Sequence, residues 1–271
     1  MIVPSEAACA YAASGYAIIR GLLAPPDLAP LADAVEAVYR QWLKRNPDAC
    51  AAQRLINMHS LTLPDYFLDA PLERLRFFDL LLPLDLTRFL DAMFGPGLYF
   101  HNTQLFFNPV DMDQAPYWHR DLQFSPVPDA EQAAVLDRML SLHVRIPLLP
   151  EQGVALVPGT HRRWDTPFEA KVRFARDGQR NSDALPGEVL IDLEPGDVLV
   201  FHSQMIHRGH YAANSARKAL DLCVAKAHPL TARWLDPLVL PDEGDIGQIR
   251  NSAWYRRGRE IAAAFPRYST S

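Results

Sequence analysis

The chain has 271 residues, a formal net charge of −5, and 49% hydrophobic residues. This length suits one large domain with a sizeable core. Charges of both signs are interspersed without a basic arm or stripe, which argues against a nucleic-acid partner. No apolar run reaches the roughly 20 residues that a membrane-spanning helix needs, so we expect neither a membrane nor a nucleic acid among its partners.

The cysteines indicate a reducing compartment. Cys9, Cys50 and Cys223 are odd in number and far apart, which is typical of reduced thiols and not of a disulfide framework. The N-terminal alanines lack a preceding positive region, so the segment does not resemble a signal peptide. We therefore expect a cytoplasmic protein.

The first hundred residues are predicted to be mainly helical, with one short strand at Tyr16–Arg20. A helix is expected from Asp27, after two prolines, to Asn46–Pro47, because its apolar residues recur on one face at helical spacing. A second helical pattern covers about Leu75–Phe94 and is broken near Pro83.

After residue 97 the pattern changes to short strands separated by turns. Strands are predicted at Leu98–Asn108, Ser141–Leu148, Val154–Val157, Gly187–Asp192, Asp197–Phe201 and Lys218–Ala225. Such a series after a helical layer predicts a β-sandwich or jelly roll braced by helices. Two longer segments, Ser125–Met139 and about Arg162–Pro186, interrupt it and are expected to be lids or binding loops.

One candidate metal-binding pair is His119 and Asp121, which are two positions apart. On an extended segment such residues project to the same face, so an imidazole and a carboxylate can bind one ion together. An exposed polar turn is the more common origin of this spacing.

A second candidate lies downstream, where a Pro-Gly-Asp turn leads into an apolar strand followed by His202, His207 and His210. One of these histidines would complete a set of two imidazoles and one carboxylate. Such a set suits iron(II), because it leaves coordination positions open for a cosubstrate and dioxygen. The residues alone do not choose among the three histidines, which could also bond backbone groups at a strand end.

Arg217 begins the last predicted strand, ten residues after His207. A guanidinium binds a carboxylate through two parallel hydrogen bonds. Arg217 therefore suits the distal carboxylate of 2-oxoglutarate, although a surface charge would have the same sequence context.

Four segments, in order, resemble the phytanoyl-CoA dioxygenase family of iron(II)- and 2-oxoglutarate-dependent oxygenases. They are residues 11–36, WHRDLQF at 118–124, GVALVPGTH at 153–161 and PGDVLVFHSQMIHRGHYAANSARKAL at 195–220. The resemblance implies a mainly β fold with flanking helices, in which N-terminal helices brace a double-stranded β-helix of the jelly-roll or cupin-like type. One domain would span 1–271, with a helical layer over about 1–96, the core over about 97–228 and an extension over about 229–271.

The resemblance also assigns roles. It selects His207 as the distal ligand, beside His119 and Asp121, and Arg217 as the cosubstrate anchor. It implies iron(II), 2-oxoglutarate and dioxygen, with ascorbate as reductant in vitro. The remaining histidines without a sequence partner are expected to be structural: His59, His101, His143 and His228.

Two departures from the family pattern concern the cosubstrate. Gly209 stands where a small hydroxyl residue is usual, so its hydrogen bond would come from Gln104 or Asn102. Arg145 stands where related enzymes often have tryptophan. Pointing inward, it would bind a carboxylate of the substrate or cosubstrate; pointing outward, it would be an ordinary strand arginine.

The expected substrate is a small natural-product intermediate, amino-acid derivative or organic acid. Its pocket is predicted to include Phe106, Tyr117, Arg145, Arg162 and Trp164. Because Asp121 is retained, no position is free for a halide, and hydroxylation or a related oxidation is expected. The alternatives are an acyl-CoA hydroxylase, a zinc hydrolase, and a non-catalytic jelly-roll protein that binds a metal or ligand.

Overall fold

The structure is a computed structural model that describes residues 2–48, 55–108, 115–210, 214 and 216–265. Cys50 lies outside these residues, whereas Cys9 and Cys223 are free thiols.

Two antiparallel sheets form the centre of the described fold. Their strands are β1 (Tyr16–Ile19), β2 (Asn57–His59), β3 (Tyr99–Phe107), β4 (Ser141–Pro147), β5 (Glu151–Leu156), β6 (Val189–Leu193), β7 (Val198–His202), β8 (His207–Gly209) and β9 (Lys218–Ala225). The larger sheet has the order β1-β7-β4-β9-β3-β2, and the smaller has the order β6-β5-β8. Non-sequential neighbours in both sheets are typical of a jelly roll, as expected.

Helices flank the sheets. They are α1 (Pro4–Ser14), α2 (Pro25–Arg45), α3 (Pro71–Leu81), α4 (Leu84–Phe94), α5 (Asp129–Val135), α6 (Pro167–Arg173), α7 (Pro229–Ala232), α8 (Glu243–Ile246) and α9 (Ala253–Ala264). Single 3-10 turns lie at Pro64–Phe67, Asp121–Phe124 and Pro237–Val239. None of the helices in the described part of the chain is both long and apolar enough to cross a membrane.

Most predicted elements are present. β9 has the predicted bounds, and the expected helix break occurs at Pro83, which is the N-cap residue of α4. α2 begins at Pro25, two residues earlier than predicted, because proline is well tolerated in the first helical turn. Two strands of three residues, β2 and β8, went unpredicted because they are too short to show a period.

Strand β4 separates an apolar face from a polar one. Leu142, Val144 and Ile146 belong to the main hydrophobic core, together with side chains of the flanking helices. The intervening His143 and Arg145 project to the opposite face of the sheet, because side chains alternate along a strand. They are nevertheless buried.

Strand β7 shows what this second face contacts. Leu199 and Phe201 pack with Val154 and Ile191 of the smaller sheet, in a separate cluster between the two sheets. The apolar face of the larger sheet therefore contacts helices, and its other face looks into the space between the sheets.

The turn before β7 depends on a glycine. Gly196 has φ +100, and a Cβ at this residue would lie 2.9 Å from the carbonyl oxygen of Leu23. Gly187 also has a positive φ, of +76, but none of the described atoms lies within 4 Å of its Cβ position. The two glycines thus share a positive φ and differ in steric contact.

We expect Gly196→Ala to lower the free energy of unfolding by about 2–3 kcal/mol, since the left-handed conformation and the clash both contribute. Gly187→Ala, as the control, should cost only about 1 kcal/mol, from conformation alone. Urea denaturation of both variants measures the difference, and equal losses would contradict the steric explanation.

Candidate metal centre and cosubstrate cavity

Two histidines are joined through their backbones. His119 and His207 exchange both N–H···O=C hydrogen bonds, each 3.0 Å long, in an isolated bridge beside β8. Residues paired in this way in an antiparallel ladder place their side chains next to each other on one face. The two ring centroids are accordingly 4.1 Å apart.

Each ring is fixed by its own segment. Nδ1 of His119 lies 3.2 Å from the carbonyl oxygen of Tyr117, and Nδ1 of His207 lies 3.0 Å from that of Met205. When Nδ1–H donates to these carbonyls, the lone pair of Nε2 is left for a metal. Burial lowers the pKa of both histidines, which keeps them neutral as metal ligands must be.

Asp121 supplies the third donor. Its backbone N–H donates to the carbonyl of Ser203 at 3.2 Å, at the start of a 3-10 turn. Its Oδ1 lies 3.4 Å from Nε2 of His207 and 3.8 Å from Nε2 of His119. One ligand atom from each of the three residues lies within 4.8 Å of the others. Two imidazole nitrogens and one carboxylate oxygen at this spacing fit a divalent transition metal.

The structure distinguishes His207 from the other two candidate histidines. Nε2 of His202 lies 2.9 Å from the carbonyl oxygen of Met139, and its Nδ1 accepts a 2.9 Å hydrogen bond from the backbone N–H of Gln204. Both nitrogens of His202 are therefore used by the scaffold. His210 does not belong to the metal-binding group found among the described residues.

The second oxygen of Asp121 contacts a histidine that sequence reasoning left as structural. Oδ2 lies 2.7 Å from Nε2 of His143, whose Nδ1 lies 3.0 Å from Oδ2 of Asp221. The available signal was the alternation of β4, which puts His143 and Arg145 on one face. The facing residues on β9 become known only from the register, which pairs Arg145 with Asp221.

The contact between Asp121 and His143 sets their charges. Burial alone would raise the pKa of Asp121, but the charge and hydrogen bond of His143 hold that pKa well below its usual value. Burial alone would lower the pKa of His143, but Asp121 and Asp221 together raise it well above its usual value. At neutral pH the pair is therefore a carboxylate and an imidazolium.

A pair of buried arginines shares one glutamate. Nε of Arg217 donates to Oε2 of Glu151 at 3.1 Å, and its Nη2 donates to the carbonyl of Gly153 at 3.0 Å. Nε of Arg145 lies 2.9 Å from Oε1 of Glu151 and 3.3 Å from Oδ1 of Asp221. Arg145 thus points inward, and its outward alternative is wrong.

The two guanidiniums also share an aromatic surface. Their central carbons lie 4.5 Å (Arg145) and 5.4 Å (Arg217) from the ring centroid of Phe106. Such cation–π contacts hold the guanidinium groups in place. Sequence reasoning missed Glu151, because a register shift between Gln152 and Val154 in β5 is not visible in the sequence.

A cavity of about 430 Å³ joins these parts. It is lined by all three candidate metal ligands and by both arginines, and also by the predicted Gln104, Phe106 and Tyr117. A second cavity of about 310 Å³ adjoins it and shares Gln104, Asp121, Phe124 and His143. Asn102 lines only the second cavity, where its Nδ2 donates to Oγ of Ser60 at 3.1 Å.

Two predicted substrate residues, Arg162 and Trp164, lie away from both cavities. Arg162 is exposed, and its Nη2 donates to the carbonyl of Ala13 at 3.3 Å. Trp164 packs beneath the guanidiniums of Arg120 and Arg173, at 4.8 and 5.8 Å. Asp165 ion-pairs with both of these arginines, at 2.8 and 2.6 Å, so this part of the insertion belongs to the scaffold.

Two antiparallel sheets with flanking helices, enclosing two histidines and a carboxylate, define a jelly-roll protein with a candidate mononuclear metal centre. The sequence profile of the phytanoyl-CoA dioxygenase (PhyH) family matches residues 11–219, and the chain belongs to that family. This makes it an oxidoreductase of the iron(II)- and 2-oxoglutarate-dependent dioxygenase class.

Solved structures agree on the fold. EctD from S. alaskensis, crystallised with 2-oxoglutarate and 5-hydroxyectoine, has a TM-score of 0.55 and 18% identity, over 83% of this chain and 77% of that one. AviO1 from Streptomyces viridochromogenes Tue57 has a TM-score of 0.52 and 20% identity, over 84% and 96%. SnoK, a carbocyclase from nogalamycin biosynthesis, has a TM-score of 0.53 and 18% identity, over 82% and 83%. Comparison with curated proteins by sequence gave no significant match.

The scaffold role of His202 predicts acid-sensitive stability. Burial lowers its pKa to about 4, so between the usual value of 6.5 and about 4 the unfolded chain binds a proton that the folded protein does not. The contribution of His202 to stability is complete above pH 6.5 and is lost as the pH falls towards 4.

Between pH 7 and pH 5 this contribution falls by about 2 kcal/mol. We expect His202→Gln to be less stable than the wild type at pH 7 but to lose about 2 kcal/mol less on going to pH 5. Urea denaturation at both pH values measures this difference. Parallel losses in the two proteins would show that His202 is not the titrating group.

Proposed function

We propose that His119, Asp121 and His207 bind iron(II), that Arg217 anchors 2-oxoglutarate, and that the protein hydroxylates an unactivated carbon of a small organic molecule. Succinate and carbon dioxide are the coproducts. The proposal is supported by one cavity whose lining includes the three metal donors and the buried guanidinium of Arg217. A site that only stored metal would not need the arginine.

The donor set leaves room for the reaction. His119, Asp121 and His207 would hold the metal through three donors, and such a set would leave coordination positions open for a cosubstrate and dioxygen. When bound, iron and 2-oxoglutarate supply the oxidising power, and the protein contributes orientation and exclusion of water. The carboxylate of Asp121 occupies the position that a halide would need, so hydroxylation is favoured over halogenation.

Arg217 is held ready for a carboxylate. Glu151 and the carbonyl of Gly153 fix its guanidinium, and Phe106 supports it. Gly209, on β8 at the same cavity, offers no side-chain hydrogen bond, whereas the amide of Gln104 lines both cavities. Gln104 is therefore the better of the two amide candidates for the cosubstrate.

The second cavity is the proposed substrate compartment. Apart from Asp121 and His143, it is lined by neutral residues, including the hydroxyls of Ser125, Ser141 and Ser203. These groups suit an uncharged or weakly polar small molecule. The named ligands of similar structures, 5-hydroxyectoine for EctD and nogalamycin RO for SnoN, are also small molecules.

Anaerobic addition of iron(II) and 2-oxoglutarate should produce a weak visible charge-transfer band, and oxygen with ascorbate should then yield succinate. Asp121→Ala should weaken iron(II) binding by at least about 100-fold, more than is usual for a residue outside the coordination shell. Unchanged iron affinity in this variant would contradict the ligand set. Turnover of substrate without oxygen would favour a hydrolase.

The proposed role of Arg217 in binding 2-oxoglutarate is tested separately. Arg217→Lys keeps the charge but loses the two-pronged geometry, so the KM for 2-oxoglutarate should rise by about 10-fold or more while iron(II) affinity is retained. Arg74→Lys is the matched control, because Arg74 is a buried arginine that donates to the backbone carbonyls of Thr62 and Leu238. An equal rise in KM in both variants would point to general destabilisation.

A further inference from the structure

His143 is a buried imidazole held from three sides, yet it is not one of the three candidate ligands. Its Nδ1 lies 3.0 Å from Oδ2 of Asp221, and its ring stacks on Phe201 with centroids 4.8 Å apart and planes inclined by 14°. Its Nε2 lies 2.7 Å from Oδ2 of Asp121. Position, ring plane and direction of the Nε2–H bond are therefore all fixed.

Asp221, the ion-pair partner of Nδ1, has a second charged neighbour. Its other oxygen, Oδ1, lies 3.3 Å from Nε of Arg145, and its side chain is fully buried. An imidazole between two carboxylates can donate a proton to each, one from each ring nitrogen. The Nε2–H group of His143, which donates to Asp121, thus belongs to a ring whose position is fixed.

The two oxygens of Asp121 consequently differ. Oδ1 faces Nε2 of His207 and Nε2 of His119, at 3.4 and 3.8 Å, whereas Oδ2 is engaged by His143. We propose that His143 is a positioning residue that holds Oδ2 off the metal, so that Asp121 binds iron through Oδ1 alone. This inference rests on the ligand set given under the proposed function.

The hydrogen bond from His143 to Oδ2 matters because it affects how many coordination positions of the metal stay open. If Asp121 bound through both oxygens, the protein would occupy four of the six octahedral positions and leave two. A chelating keto acid would fill both, and none would remain for dioxygen. A charge-assisted hydrogen bond to Oδ2 opposes that binding mode, because the oxygen would have to leave a strong donor.

Two amides of different length provide a matched test. In His143→Gln the amide reaches about as far as Nε2 and can still donate to Asp121. In His143→Asn it reaches only about as far as Nδ1 and can donate to Asp221 alone. We expect anaerobic titration to show iron(II) affinity within about threefold of wild type in His143→Gln, and changed by about 10-fold or more in His143→Asn, because Oδ2 of Asp121 has then lost its donor and the carboxylate can turn towards the metal.

The charge-transfer band with 2-oxoglutarate should likewise be retained in His143→Gln and changed in His143→Asn. His202→Gln, which changes a buried histidine bonded to the carbonyl of Met139, should bind iron(II) like the wild type. Equal iron affinity in the two His143 amides would overturn the inference. Failure of the wild type itself to bind iron(II) would instead overturn the proposed function.

A crystal structure of the Mn(II)-loaded wild type tests the same point without a substitution. We expect the metal on Oδ1 of Asp121, with Oδ2 still hydrogen-bonded to His143. A metal bound through both oxygens would overturn the inference even if His143 variants did not fold.

Discussion

The backbone pairing of His119 with His207 is the constraint on which the site depends. Two reciprocal hydrogen bonds of 3.0 Å join segments that are distant in sequence and fix both imidazoles on one face of the smaller sheet. Asp121 then follows at the start of a short turn, with its oxygen already beside both rings. Main-chain hydrogen bonds thus set the positions of the residues of the candidate metal centre.

The larger sheet supplies His143, Arg145 and Asp221 beside that centre through the alternation of its strands. One face is apolar and contacts helices, while the other carries polar groups that would be costly to bury without partners. Here each buried charge has a neighbour of opposite sign. The acids are Asp121, Asp221 and Glu151, and the cations beside them are His143, Arg145 and Arg217.

Some residues and strands of the site can be predicted from local sequence patterns, whereas others depend on long-range strand pairing. Spacing makes His119 and Asp121 a candidate pair, although the same spacing is more common in exposed polar turns, and strand periodicity locates β9 with its correct bounds. His207 needed the family resemblance, because its partner strand is set by long-range pairing. The role of His143 depends on the register between β4 and β9, and that of Glu151 on a bulge in β5. Neither leaves a local pattern in the sequence.

The bulge also gives Gly153 an importance that its backbone does not reveal. Its φ is not positive, but a Cβ there would lie 2.3–2.5 Å from the carboxylate group of Glu151, which fills that space. A single methyl group at residue 153 would push this carboxylate from between Arg145 and Arg217. The absence of a side chain at one uncharged residue therefore controls the electric field that an arriving anion meets.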